Sequence, residues 1–340
     1  MPRLAIDAMT SEAGVDSIAR GVWLAWQADQ SLSFLIFGDT AVTRPAFEAH
    51  FAEHACIEYV HATDVITHAD DPVVVMRRKK NSSTHLSLQA VAQKKADGVV
   101  SCANTGALVA LGRYYLKRLP GIERIAFAGS FPTYQEKDVF ISDIGANVDA
   151  QPEHLYQYAK MLAAYLSSKD SPKPKIALLS NGVEAIKGNE LVRKTDSLLR
   201  QDATMQYEGY VEGNGIFTGH VDGVICDGFV GNAVLKSCEE SARFIRSVIK
   251  NTLRESWLGL CIAAPLMWLL NKYAVKLKPA KRNGALMLGL QGVVVKSHGV
   301  SDAESFATAI SICAKAVRSG MIASLQEHFK RVEVDAASVE

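Results

Sequence analysis

VVSCANTGAL, residues 99–108, carries an apolar run into Asn104-Thr105-Gly106 and then resumes an apolar pattern. A buried strand that breaks on small and polar residues just before a helix is the joint of an α/β unit. The joint recurs along the chain. LAIDAM (4–9), SFLIFG (33–38), IEYVHA (57–62), GVVSCA (98–103), DVFISDI (138–144), KIALLS (175–180) and GVICDG (223–228) read as buried strands, mostly spaced to leave room for helices. Near-continuous apolar runs belong to strands covered on both faces, so the pattern predicts an α/β fold around a mainly parallel sheet.

Composition sets the outer limits. With 340 residues, 48% of them hydrophobic, the chain can bury a sizeable core, and its length predicts two lobes. Lys plus Arg number 37 against 36 for Asp plus Glu, and a net charge of +1 gives no general attraction for nucleic acid. No nucleic-acid partner is expected. Six cysteines at positions 56, 102, 226, 238, 261 and 313 form no CxxC pair, which fits free thiols in a reducing compartment and a cytoplasmic protein. The opening MPRLAIDAM has its apolar stretch cut at Asp7, so no leader peptide is predicted.

In open α/β sheets, ligands lie beyond the carboxyl ends of the strands, where a new helix offers unpaired N–H groups and its positive dipole end to an anion. Asn104-Thr105-Gly106 is placed for such a cradle, with Gly106 permitting close approach and Asn104 or Thr105 capping the helix. The same residues would serve a helix cap that binds nothing. DVFISDI runs into Asp143-Ile144-Gly145-Ala146-Asn147, GVICDG into Phe229-Val230-Gly231-Asn232, and KIALLS into Asn181-Gly182 followed by Lys187-Gly188-Asn189. Together these loops are expected to line one cleft suited to a polar or anionic small ligand.

RRKKNSSTHLSL (77–88), VVSCANTGALVAL (99–111), LPGIER (119–124), DIGANVDAQPEHL (143–155), EAIKGNELV (184–192), VEGNGIF (211–217), CDGFVGNAVLK (226–236) and NGALMLGLQGVVVKSHGVSDA (283–303) closely resemble the bacterial phosphate acyltransferase (PlsX) family. The resemblance implies a phosphotransacetylase-like or isopropylmalate-dehydrogenase-like fold of two α/β lobes. Residues 1–140 with 280–340 would form the first lobe and 141–279 the second, usually in a homodimer. It also implies a reaction that moves a fatty acyl group from the thioester of acyl carrier protein to inorganic phosphate, with no cofactor, to supply phospholipid synthesis.

That chemistry asks mainly for positioning, because phosphate is already a charged nucleophile at neutral pH. The resemblance makes Lys187, Asn189, Asn232 and His298 the catalytic candidates, and Asn104, Thr105, Gly106, Asp143, Asn147, Asp227 and Gly231 the phosphate- and substrate-binding ones. Amide and backbone N–H donors would stabilise the oxyanion, Lys187 would meet phosphate or developing charge, and His298 would bind phosphate or protonate the departing thiolate. Asp143 and Asp227 are expected to orient these groups. Cys102 and Cys226 sit at strand ends, but buried thiols are inert, so direct transfer is preferred to an acyl-cysteine.

Three further signals stand outside that core. His50-Phe51-Ala52-Glu53-His54 has the spacing of a zinc helix, yet it lies in an amphipathic surface pattern without a downstream ligand, and no metal is predicted. WLGLCIAAPLMWLL (257–270) falls short of the ~18 to 20 residues that span a bilayer. It reads either as a buried hairpin or dimer contact, or as an apolar surface docking on membrane beside Lys272, Lys276, Lys278, Lys281 and Arg282. KLKPAKRNG (276–284) would return the chain to the first lobe. Arg77, Arg78, Lys79 and Lys80, and separately Arg113, Lys117 and Arg118, are candidates for a face toward the acidic carrier protein.

The family's Asp-Ala-Met-Gly-Gly-Asp after the first strand is Asp7-Ala8-Met9-Thr10-Ser11-Glu12 here, which predicts a reshaped loop because Thr and Ser resist positive φ. Ser101-Cys102-Ala103 and Ser180-Asn181-Gly182-Val183-Glu184 also depart from the pattern. These changes keep open a non-catalytic paralogue that binds carrier or phosphate, or a transacylase for short acyl groups on coenzyme A. A nicotinamide enzyme on the same fold is disfavoured by the lack of GxGxxG after a strand.

Overall fold

The computed structural model describes residues 1–51, 56–67, 69–135, 137–167, 173–254 and 283–337. Eleven strands form one sheet: β1 (Arg3–Asp7), β2 (Ser33–Gly38), β3 (Ile57–His61), β4 (Gly98–Ser101), β5 (Ala126–Pro132), β6 (Asp138–Ser142), β7 (Lys175–Leu179), β8 (Gln206–Val211), β9 (Gly223–Ile225), β10 (Ala285–Leu288) and β11 (Val293–Lys296). The helices are α1 (Gly14–Ala28), α2 (Thr40–Phe51), α3 (Pro72–Arg78), α4 (Ser83–Ala92), α5 (Thr105–Tyr115) and α6 (Pro152–Ser167). They continue with α7 (Glu190–Gln201), α8 (Gly228–Arg254), α9 (Ala303–Arg318) and α10 (Met321–Ala337).

Side-chain alternation sorts each strand between two cores. Leu4, Ile6, Phe34, Ile36 and Val100 enter one, beneath α1, α2, α6, α7, α9 and α10. Their neighbours Ala5, Leu35, Phe37 and Val99 enter the other, beneath α3, α4, α5 and one side of α8. Both faces are dry, which is why the strands read as unbroken apolar runs.

The seven strands expected from the sequence are all present, most of them ending one to three residues earlier than the apolar run. Four more complete the sheet. β5 (AFAGSFP) carries Gly, Ser and Pro and so resembles a loop, while β8 (QYEGYV) lies at the sheet's edge with a mixed polar pattern. β10 and β11 are only four residues each.

The order is β3-β2-β1-β4-β11-β10-β5-β6-β9-β7-β8. β3 through β11 are mutually parallel, as are β6, β9, β7 and β8. Between them stand three antiparallel pairings, β11 with β10, β10 with β5, and β5 with β6. An odd number of reversals makes the two parallel sets run in opposite directions. The strand-end loops therefore fall into two groups, one after β1, β4 and β11 and another after β6, β7 and β9, and not into the single row expected from the sequence.

Candidate functional site

The first group is built around the fully buried Asp7 at the end of β1. Its Oδ2 accepts from Ser101 Oγ at 2.6 Å, Thr84 Oγ1 at 2.7 Å and Thr10 Oγ1 at 3.1 Å. Thr10 also accepts the backbone N–H of Cys102 at 3.2 Å, tying the ends of β1 and β4 together. Thr10 and Ser11 hold ordinary negative φ, and the loop places its positive φ of 82° on Gly14. The hydroxyl thus stands in the loop without backbone strain, and Glu12 N–H closes the turn on the Gly299 carbonyl at 2.8 Å.

His298 follows β11 by two residues. Its backbone N–H donates to Asn283 Oδ1 at 3.2 Å, while the Asn283 amide donates to Ser297 Oγ, Ser301 Oγ and the Ser305 carbonyl. The ammonium of Lys236, from α8, stands 3.0 Å from His298 Nε2. Burial of the ring, and then the charge of Lys236, hold its pKa below the usual histidine value. Val300 N–H stands 3.4 Å from Nδ1, so both ring nitrogens have a neighbour. The lowered pKa disfavours the protonated ring that would hand a proton to a thiolate.

At α5, Asn104 spends both ends of its side chain on the scaffold. Oδ1 caps the helix by accepting from Ala107 N–H at 2.7 Å, and Nδ2 donates to the carbonyls of Thr67 at 3.0 Å and Asp70 at 3.4 Å. The close approach at Gly106 is made by Pro72, whose Cγ would lie 2.9 Å from an added β-carbon. Gly106 is otherwise exposed, and Thr105 stands beside it, half-buried.

The second group is knit by Asp143. Its carboxylate, fully buried, accepts from Phe127, Gly145, Ala146 and Asn147 N–H and from Asn147 Nδ2, at 2.7 to 3.1 Å. Burial pushes its pKa up while these donors pull it back. Asn147 Nδ2 also donates to the Ile125 carbonyl at 2.6 Å, and its own carbonyl receives Gly228 N–H at 2.8 Å. Asp227 caps α8 by accepting from Phe229 and Val230 N–H, both at 2.9 Å. Gly231 lets the first turn of α8 lie against the Asp143 carbonyl, 1.9 Å from where a β-carbon would stand. Asn232 is exposed directly over Gly145, with no hydrogen bond among the described residues.

After β7, Asn181 Oδ1 accepts Gly188 N–H at 2.9 Å, and Asn189 caps α7 by accepting Val192 N–H at 2.9 Å. The Lys187 stem lies across Gly182, and its ammonium makes no hydrogen bond or ion pair among the described residues. The candidates thus divide: Asn104, Asp143, Asn147, Asp227 and Asn189 hold the loops, Gly106 and Gly231 admit close packing, Lys187 and Asn232 face outward with polar capacity to spare, and His298 is exposed with Lys236 at its Nε2. α8 brings the groups together, starting in the second and reaching the first through Lys236.

Among the basic residues, Lys79 differs from its neighbours. Its ammonium is held by Asp70 at 2.5 Å and donates to the Val65 carbonyl at 2.7 Å, so it is a structural clamp. Arg77, Arg78 and Lys80 are exposed. Arg113, Lys117 and Arg118 line a groove of about 710 Å³ with Met76 and Tyr114. It lies at the far end of α5, about 15 Å of helix from Asn104.

Burial pushes the Cys102 thiol up to about 12 and the Cys226 thiol well above the usual range. Among the described residues no three His, Cys, Asp or Glu side chains are grouped as metal ligands, and the His50–His54 spacing runs partly outside those residues. No single described helix is long and apolar enough to cross a membrane. α9 with the start of α10 has the composition, but the pair is bent by 53° and α9 packs its apolar side into the core. The 257–270 stretch, with the lysines after it, lies outside the described residues.

A family model described as fatty acid synthesis protein matches residues 2–324. The chain is 40% identical to the phosphate acyltransferase of Cupriavidus taiwanensis over 341 aligned positions, covering 99% of this chain and 94% of that protein. It is 38% identical to the phosphate acyltransferase of Ectopseudomonas mendocina, covering 94% and 95%. In fold it is similar to a phosphotransacetylase from Streptococcus pyogenes, with a TM-score of 0.61 at 16% identity over 93% of this chain and 94% of the other. A branched-chain phosphotransacylase from Enterococcus faecalis gives 0.58 at 15% identity over 93% and 99%.

Proposed function

From the premise that the chain belongs to the phosphate acyltransferase family, we propose that it transfers a fatty acyl group from acyl carrier protein to inorganic phosphate, releasing acyl phosphate for phospholipid synthesis. A phosphate oxygen attacks the thioester carbonyl carbon, the C–O bond forms, the C–S bond breaks, and the departing thiolate of the carrier takes a proton from solvent. The protein supplies position and charge. Asn232 donates to the developing oxyanion, Lys187 meets negative charge on the substrate, and His298 holds the Lys236 ammonium at the phosphate side.

One observation carries direct transfer: both cysteines at the strand ends are buried, with thiols far from ionising at neutral pH. An acyl-cysteine would need a thiolate that this site does not supply. Arg77, Arg78 and Lys80 form the face toward the acidic carrier, without Lys79. The enzyme works in the cytoplasm as a homodimer with peripheral membrane contact through 257–270. Exposed Phe244, Ile245 and Val248 on α8, in the run-up to that stretch, support such a contact.

The test is to mix the protein with long-chain acyl carrier protein and follow thiol release with and without phosphate, trapping acyl phosphate with hydroxylamine. Phosphate-dependent release with a trapped product is expected. Release that ignores phosphate overturns the reading in favour of a thioesterase, and no turnover by protein that still binds the carrier overturns it in favour of a binding paralogue.

A further inference from the structure

Lys296 closes the apolar run of β11 and faces Ser101 across the pairing with β4. It is half-buried, and among the described residues its ammonium donates only to the neighbouring Ser297 carbonyl, at 3.4 Å. No carboxylate pairs with it among the described residues. A cation withdrawn from water without an anion is costly, and burial, with Lys236 adding to it, pulls its pKa below the ordinary lysine value.

A second cation stands beside it. Lys236 reaches across from α8 to His298, sharing part of its charge with Glu239 at 2.8 Å. Glu12 is the other carboxylate whose charge reaches His298. Lys236 lies one helical turn beyond Asn232, so the two share one face of α8. The helix that carries the amide over Gly145 therefore also carries an ammonium to the end of β11.

We propose that Lys296, Lys236 and His298 form the seat of the phosphate dianion, with Lys296 as its principal cation. The assignment rests on the transacylase reading and names the place of its nucleophile. Two lysine point charges suit a small dianion that must still present an oxygen for attack, better than a bidentate clamp would. Asn232 then stands one turn away along α8, on the side where the thioester carbonyl must approach.

Equilibrium dialysis with radiolabelled inorganic phosphate tests the seat without turnover. Lys296→Met should weaken binding at least tenfold, Lys296→Arg should restore part of it, and Lys236→Met, on an exposed helix face, should weaken it in a chain that melts like the parent. In turnover, KM for phosphate should rise while KM for acyl carrier protein stays. Unchanged phosphate binding in folded Lys296→Met and Lys236→Met overturns the proposal. So does a rise confined to the KM for the carrier, which would place these cations on the phosphate ester of its prosthetic arm. Phosphate binding that needs Lys296, in a protein without transacylase turnover, upholds the seat and removes the reading beneath it.

Discussion

The carbonyl oxygen of Asp143 occupies the place where Gly231 would carry a side chain, 1.9 Å from the ideal β-carbon position. The obstacle is backbone, and it belongs to a loop pinned by five N–H donors, so it cannot swing aside. Gly231→Ala should lift the first turn of α8, cost about 3 kcal/mol in denaturant unfolding and remove turnover together with it. A stable, active alanine variant would mean that the loop yields.

Asn189 and Asn232 look alike in sequence but differ in what they hold. Asn189→Ala should lose about 1 kcal/mol of stability with its cap, and Asn189→Asp should keep it. Asn232→Ala should stay within ~0.5 kcal/mol of the parent yet lose about 100-fold in kcat. Unfolding curves and steady-state rates on the three variants separate a cap from a donor.

His298 should titrate below 6.5, the usual histidine value, because burial and Lys236 both oppose its proton. Since the folded chain binds that proton more weakly than the unfolded one, its contribution to stability is present near neutral pH and falls as pH drops below 6.5. The C2–H resonance, identified by its absence in His298→Gln, should show the low midpoint. In Lys236→Met it should move upward; no movement would remove Lys236 as a cause.

At the other side of the molecule, Arg318 Nη1 lies 2.6 Å from Asp29 Oδ2 and joins α9 to the end of α1. The Arg318 guanidinium, with Ser31 beside it, holds the Asp29 carboxyl down to about 2. A depressed acid stabilises the fold above its unfolded value near 3.8, and the gain is lost as pH falls toward 2. Both side chains are partly solvated, which leaves about 1 kcal/mol after screening. Arg318→Met should show that deficit at pH 7 and almost none at pH 2.

Much of the sheet was legible because period and composition are local. SFLIFG is β2 to the residue. What was hidden is non-local: the odd count of antiparallel pairings that reverses half the strands depends on β5 and β10, and neither has a pattern that marks it as a centre strand. The site shows the same division. Strand-end loops could be found by their Asn and Gly, but whether an asparagine caps a helix or faces a ligand depends on what its amide meets, as Asn104 and Asn189 show. Lys79 pairs with Asp70, nine residues back, at no regular spacing. Lys296 had a signal in VVVK, a cation closing a buried strand, and Lys236 had one in its position a turn past Asn232.

β4 and β5 never touch; β11 and β10 stand between them. A growing chain thus makes both strands long before it makes what separates them. At about 5–20 residues per second, the roughly 150 residues from the end of β6 to the start of β11 take on the order of ten to thirty seconds to synthesise. During that wait two apolar strands, with Val99, Val100 and Phe127, present open edges that could pair wrongly with each other or with a neighbouring chain. Escape from aggregation in the cell therefore hinges on the late arrival of β10 and β11, and a chain truncated before residue 285 should need a chaperone to stay in solution at all.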